Sequence, residues 1–464
     1  MIRTRHQQPT LWTGFLREEV SDLWEPWMRH ADDVLDDDGL IERVFDAQGR
    51  RWKQSRTRGR LQTPAEVVLR LLILKHVRDW SYQTLEREVG ANLVYRSFAR
   101  IGSEKVPDAK TLGRLGQVIS GDVVADLHQR VVELAVEKKA VQGRRMRVDT
   151  TVVETNIHHP TDSSLLGDGA RVLTRVMKRV EAAAGGLVRK VRNRMRTVRK
   201  KVVAIAIASR YTGEAGEEKR RHLYKALLSV TRKIINQGQR VVADIEQLGR
   251  KGKRLGALRN HLVTMIDRVQ RVVKQTRVRV FGGDTKYSRK LVSVFEPQTE
   301  IIRKGKASKP TEFGKLVKVQ EAEHQIITHY EVYDERPADS SLLVDAVRKH
   351  AQRTGRLPHT VAADAGFYSQ ANQKTLEEMG VKNVSIPNRS TRSEQRRAYQ
   401  KKRWFKSGQR WRTGCEGRIS VLKRRHGLSR CFYRGPEGMR RWVGLGVVAD
   451  NLINLGLQLA ARSA

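Results

Sequence analysis

Hydrophobic positions change their spacing several times along the chain, and each change marks a different kind of element. The stretch RRMRVDTTVVETN, 144–156, alternates: Met146, Val148, Thr150 and Val152 share one side, and Asp149 points to the other. This predicts a strand of β-branched residues with an acid near its middle. Residues 1–140 instead show the spacing of helices. Thr63-Pro64 predicts a capped helix start, followed by Val67, Val68, Leu71, Leu72 and Leu74 on one broad face. Ser81 predicts the cap of a second helix, with Tyr82, Leu85 and Val89 inward. Leu93, Val94 and Phe98 mark a third, and Pro107-Asp108 opens a fourth with Leu112, Leu115 and Val118 as its stripe. Short helices in this order suit a helix-turn-helix or a helical dimerisation domain, and periodicity does not choose between them.

Residues 171–280 have another pattern. Leu173, Val176, Val180, Ala184, Leu187, Val191, Met195, Val198 and Val202 recur at steps of three and four, a coiled-coil-like seam that Gly185-Gly186 weakens. Further helices are expected over about 217–248 and from Leu255 to Val272. Beyond 281 the β-rich runs 315–320 and 326–333 predict a hairpin. A helix over 340–352, a short strand HTVAA ending at Asp364, a helix over 369–379 and a strand at 384–387 follow. Strand and helix in alternation argue for an α/β sheet. Residues 388–410 read as a basic loop, and helices are expected over 412–426 and 436–459.

Charge narrows the function. The chain carries 91 Lys and Arg against 50 Asp and Glu, a net +41. Such an excess calls for an anionic partner, nucleic acid first and an anionic membrane surface second. Residues 171–280 alone hold 30 Lys and Arg against 7 Asp and Glu, or +23. A solvated helical face would carry both signs; one sign points to phosphate contact. No uninterrupted run of about 18 apolar residues suggests a membrane span. The opening MIRTRHQQPTLWTGFL lacks the apolar stretch and cleavage site of a signal peptide. Cys415 and Cys431 are too few for a disulfide framework or a four-cysteine zinc site.

Three carboxylates stand out by position. Asp149 lies on the first strand, Asp364 at the end of a later strand before Ala365-Gly366, and Glu416 in a basic helix, RTGCEGRISVLKRRHG. Any one of them alone is more simply a cap, a turn residue or a surface pair. Taken together, in the order Asp, Asp, Glu, they suit hard divalent cations that share phosphate oxygens with protein carboxylates. Two such ions can activate a water or a 3′-hydroxyl and stabilise the leaving oxygen.

The segment VDTTVVETNIHHPTDSSLL at 148–166, the ADAGFYS about Asp364, and the spacing Arg412, three residues, Glu416, six residues, Lys423 carry a family resemblance. The N-terminal YRSFARIGSEKVPDAKTLGR adds to it. The chain resembles the bacterial insertion-sequence DDE transposases, most similarly the ISNCY-type group, over nearly its whole length. The resemblance implies an α/β fold: an RNase H-like catalytic domain over 141–464, an α-helical N-terminal domain over 1–140, and a long basic helical insertion at about 171–280. It implies Asp149, Asp364 and Glu416 as catalytic residues and metal ligands, with two Mg²⁺ or Mn²⁺ ions. Arg412, Arg418 and Lys423 are the expected DNA contacts. Double-stranded DNA, both terminal inverted repeats and target, is the implied partner, bound by a homodimer in the bacterial cytoplasm with no membrane contact. The family signature places Tyr where this chain has Gln409.

Other residues carry weaker expectations. His158 and His159 adjoin the first strand, but adjacent strand residues point opposite ways and do not readily share one ion. Glu154 and Asp162 are candidates for shaping the site. Cys415 lacks a His and Asn partner and is expected to pack. Two rivals remain at this point: a nuclease of the same fold without strand transfer, and a non-catalytic DNA-binding or architectural protein whose acids are structural.

Overall fold

The run AEVVLRLLILKHV is apolar on nearly every side, and it folds as a helix buried on every side. It belongs to an N-terminal series in the computed structural model, which describes residues 1–464 apart from 7–13, 15–17, 53, 249–251, 289, 304–309 and 464. The series is α1 (Pro26–Leu35), α2 (Asp38–Gly49), α3 (Ala65–Val77), α4 (Tyr82–Ala91), α5 (Leu93–Phe98), α6 (Ala109–Val118) and α7 (Gly121–Glu137). Ser81, Asn92, Asp108 and Ser120 each accept a backbone N–H at the start of their helices, as short polar caps do. Thr63 does not cap α3. Pro64 holds that position, with no side-chain bond, and the helix starts at Ala65.

The chain continues through β1 (Arg145–Thr155), α8 (Asp162–Ala183), α9 (Met195–Ala208), α10 (Glu214–Gln247) and α11 (Lys253–Gly282). Then come β2 (Glu300–Arg303), β3 (Thr311–Glu321), β4 (Ile327–Val332), α12 (Leu343–Thr354), β5 (Thr360–Ala362) and α13 (Gln370–Glu378). The last elements are β6 (Asn383–Ser385), α14 (Glu394–Lys401), α15 (Arg403–Arg425), β7 (Arg430–Cys431) and α16 (Gly435–Ser463). Residues 388–410, expected as a loop, are therefore largely helical. Tyr399, Trp404 and Phe405 pack edge to face there, and Arg396 lies over Tyr399, so aromatic contacts order a segment whose charge suggested solvent.

Two units form. Residues 1–156 and 302–464 make one, and residues 157–301 the other.

In the first unit the described strands form a mixed sheet in the order β3-β1-β5-β6, with β4 also on β3 and β7 on β1. β1 is antiparallel to β3 and parallel to β5, and β5 is parallel to β6. Both faces are covered. Met146 and Val148 pack with Leu343, Val347 and Leu376 on one face; Val153, Val317 and Val319 pack with Leu422 and Trp442 on the other. The N-terminal helices, expected as a separate domain over 1–140, share this unit. The cause is α16: its Leu445, Val448, Leu452 and Leu455 lie in one apolar cluster with Met28, Val44 and Leu71. By length and composition Gly435–Arg462 passes the test for a membrane span, which the core helix of a folded protein can also pass. Its most apolar window is 67% buried within the protein, which marks a core helix.

The second unit is built from α8 to α11 around Leu173, Val176, Val180, Val198, Leu262 and Val269. Thr161 and Ser164 form a reciprocal capping box at the start of α8. The expected seam does not run through. Gly185 and Gly186 adopt φ of +58° and +86°, which ends α8, and Leu187 is exposed rather than in the seam.

Candidate active site

Strands β1 and β5 lead two of the acids toward the same end of the sheet. Arg147 is level with Ala362 across the parallel pair, the last paired residues, and Asp149 and Asp364 each follow two residues later. Asp364 lies one pleat beyond the last paired residue and is still extended, with φ −77° and ψ 175°. Residues two apart on a strand share a face. By this alternation both carboxylates belong to the face that carries Arg147.

Helix α15 covers that face. Arg147 donates to the Trp411 carbonyl oxygen and its guanidinium lies 4.8 Å from the Trp411 ring centre. Its other hydrogen bonds go to Glu321, on β3, a carboxylate whose pKa is raised by burial against the opposing pull of Arg147. Glycine lets α15 approach: a Cβ at Gly408 would meet the Ser385 Cβ at 2.6 Å. One residue on, Gln409 Nε2 donates to the Ser385 carbonyl at 2.5 Å and to the Ala363 carbonyl at 3.3 Å. Gln409 thus ties α15 to the peptide immediately before Asp364.

Glu416 and Arg412 stand one turn apart on α15. Arg412 Nη2 donates to Glu416 Oε1 at 2.8 Å, and its Nη1 lies 3.8 Å from Asp149 Oδ2. The Glu416 side chain is 60% exposed, whereas those of Arg412 and Asp149 are 16% and 15% exposed. Asp149 Oδ1 accepts the Thr150 N–H at 2.7 Å, and Asp364 Oδ1 accepts the Gly366 N–H at 2.8 Å. Among the described residues, no three Asp, Glu, His or Cys side chains lie close enough together to hold a metal ion. The donor set is nonetheless of the right kind. All three side chains are hard oxygen donors, and a guanidinium already sits between two of them, where they attract positive charge.

The remaining expected residues fall elsewhere. Arg418, an expected DNA contact, is buried, its Nη1 donating to Asp450 Oδ1 at 2.7 Å and its Nη2 to Gln325 Oε1 at 2.5 Å. Lys423 is 24% exposed, 4.0 Å from Glu312. Glu154 faces Arg430 at 3.4 Å. Cys415 is fully buried, and burial pushes its thiol well above the usual range, in keeping with a packing role. In the second unit, His158 lies 3.5 Å from Asp168, and Asp162 pairs with Arg279. Neither histidine belongs to a metal-holding group.

Two residues of the first unit went unread in the sequence. Arg147 shares Asp149's face by simple alternation and supports the helix above it. Asp339 lies beside Asp364, since a Cβ on Gly366 would sit 3.1 Å from Asp364 Oδ1 and 3.3 Å from Asp339 Oδ2. It also accepts from Thr150 Oγ1 at 3.3 Å. Only the fold brings it there.

Two known families match the chain. The one described as Transposase DDE domain matches residues 276–452, which hold Asp364 and Glu416, and the one described as Transposase domain (DUF772) matches residues 27–117. No curated protein and no solved structure matches. The chain carries the DDE domain of a transposase, an enzyme that cuts and joins DNA with the help of divalent metal. More narrowly, the two matched domains together are typical of bacterial insertion-sequence transposases.

Proposed function

We propose that Asp149, Asp364 and Glu416 are the three carboxylates of this transposase, on a sheet of RNase H-like order. The observation that carries the reading is the parallel register of β1 and β5, which pairs Arg147 with Ala362 two residues before Asp149 and Asp364, on the face covered by the Glu416 helix. Asp149 lies outside the matched DDE segment, and the second unit separates it in sequence from β3.

Two Mg²⁺ or Mn²⁺ ions, when bound, polarise the scissile phosphate and lower the pKa of attacking water. The chain's own residues do the rest. The three carboxylates hold positive charge at the strand ends. Arg412, which must release at least one of its carboxylates for all three to serve a metal, is then placed to contact a phosphate oxygen, and Lys423 extends positive charge two turns along α15. Contacts that strengthen as charge develops on the phosphate lower the barrier.

The chemistry balances without redox. Water adds to phosphorus as the P–O3′ bond breaks, which leaves a 3′-hydroxyl and a 5′-phosphate. That 3′-hydroxyl then attacks a target phosphodiester, and one phosphodiester is exchanged for another. Terminal inverted repeats and a target duplex are the substrates, with a homodimer pairing two ends. Duplex carrying the element's ends, incubated with protein and Mg²⁺, tests this. A nicked end followed by a joined product is expected. Cutting without joining would reduce the protein to a nuclease, and binding without cutting to an architectural protein.

A further inference from the structure

We propose that a pocket in the second unit receives one nucleotide of the DNA, with its phosphate on arginines and an amino-bearing base edge on Asp162. This rests on the reading of the chain as a DNA-cutting transposase. The cavity, about 500 Å³, is lined by Asp162, Ser209, Arg220, Arg221, Tyr224 and Arg279, among others. Its size suits a single small ligand group.

Asp162 is the informative residue. It is 2% exposed, and its Oδ2 accepts from Arg279 Nη1 at 2.9 Å. Its Oδ1 is buried and has no hydrogen-bond partner among the described residues. A buried carboxylate oxygen without a donor is costly, and such atoms are rare unless something fills the gap. The wall around it carries three arginines and a second acid, Glu217. Arg221 is exposed without an ion-pair partner among the described residues, and Arg220 donates to the Tyr211 carbonyl at 2.7 Å with Glu217 at 3.8 Å. The pocket therefore asks for two things at once, an anion for the arginines and an N–H donor for Oδ1.

A nucleotide supplies both. A phosphodiester satisfies the arginines, and the exocyclic amino group of cytosine is a donor that a carboxylate reads directly. Inorganic phosphate offers no N–H. The field of a segment with 30 Lys and Arg against 7 Asp and Glu draws a polyanion to this unit. The base must be unstacked to reach Asp162, which favours single-stranded or frayed DNA over intact duplex.

The test uses the full chain and three single-stranded 12-mers: oligo-dC, oligo-dT, and oligo-dC whose N4 amino groups are dimethylated. Affinity is read by fluorescence anisotropy between 50 and 200 mM salt. Oligo-dC should bind about tenfold tighter than oligo-dT, a modest carboxylate–base preference. Dimethylation should abolish the preference with no change to the protein. Arg221→Ala should weaken all three equally and flatten the salt slope by about 0.7, the value for one lost phosphate contact on a single strand. Asp162→Asn should lose the preference and keep the slope; circular dichroism checks its fold, and the dimethylated oligomer carries the base test if it unfolds. Equal binding of native and dimethylated oligo-dC, or an unaltered slope in Arg221→Ala, would overturn the pocket while leaving the transposase reading intact. A wild-type chain that bound none of the oligomers and did not cut element ends would overturn both.

Discussion

Arg418 Nη1 donates to Asp450 Oδ1 at 2.7 Å, between side chains that are 9% and 2% exposed. The pair joins α15 to α16 inside the protein, and His426 Nε2 lies 3.4 Å from the same Asp450 oxygen. Removing one partner of a buried ion pair strands the other charge, at a cost of about 3–5 kcal/mol. Arg418→Ala should therefore lower the midpoint of denaturant unfolding sharply. Affinity for DNA, measured on whatever fraction stays folded, should match wild type. A stable variant with weakened DNA binding would return Arg418 to the DNA surface.

Gln409 connects α15 to the carbonyl oxygens of Ser385 and Ala363. It acts on the position of Asp364 and does not touch the reacting atoms. Gln409→Ala should slow cleavage of an element end by about tenfold, equivalent to roughly 1.4 kcal/mol of barrier, with DNA affinity unchanged. Raising the metal concentration should recover part of the rate, because a loosened Asp364 binds metal less well. A merely structural role would lower the melting temperature and leave the metal dependence as it was.

Whether a residue could be placed from sequence depended on how local its cause was. The alternation around Asp149 and the caps at Ser81 and Asp108 are set by immediate neighbours, and they were readable. The placement of Asp149 and Asp364 toward the same end of the sheet is a matter of strand register across a whole inserted unit, and only the family resemblance hinted at it. Arg418 illustrates a different case. It is two residues from Glu416, about 200° around the helix, so it faces α16 while Arg412, one turn away, faces Glu416. Spacing alone already argued against grouping it with the phosphate contacts. The helix from Arg403 was hidden because its anchors are aromatic rings scattered among lysines and arginines, a composition that resembles a loop. Asp339 had no local signal at all.

Lys75 has a pH signature. It is buried, with its ammonium 4.6 Å from the Trp442 ring centre, 5.2 Å from that of Tyr82 and 5.4 Å from that of Tyr433. Burial pulls its pKa down to about 8, with Asp79 opposing. The unfolded chain holds that proton up to about pH 10.4. Between about pH 8 and 10.4 the unfolded state thus binds more protons, and stability contributed by this group rises with pH, by up to about 1.4 kcal/mol per unit. Below pH 8 both states are protonated and the contribution is flat. Lys75→Met should remove the rise, so that wild type minus variant stability climbs across that window. Parallel curves would show that the ring faces keep Lys75 charged at its ordinary pKa.

The central claim is that Asp149, Asp364 and Glu416 work as one metal site. Its most direct test measures Mg²⁺-dependent cleavage of end-containing DNA by Asp149→Asn, Asp364→Asn and Glu416→Gln, each beside a DNA-binding titration and a melting curve. All three should lose cleavage by at least about a thousandfold, roughly 4 kcal/mol of barrier, while binding DNA and melting close to wild type. A folded, DNA-binding variant of any of the three that cuts near the wild-type rate would contradict it.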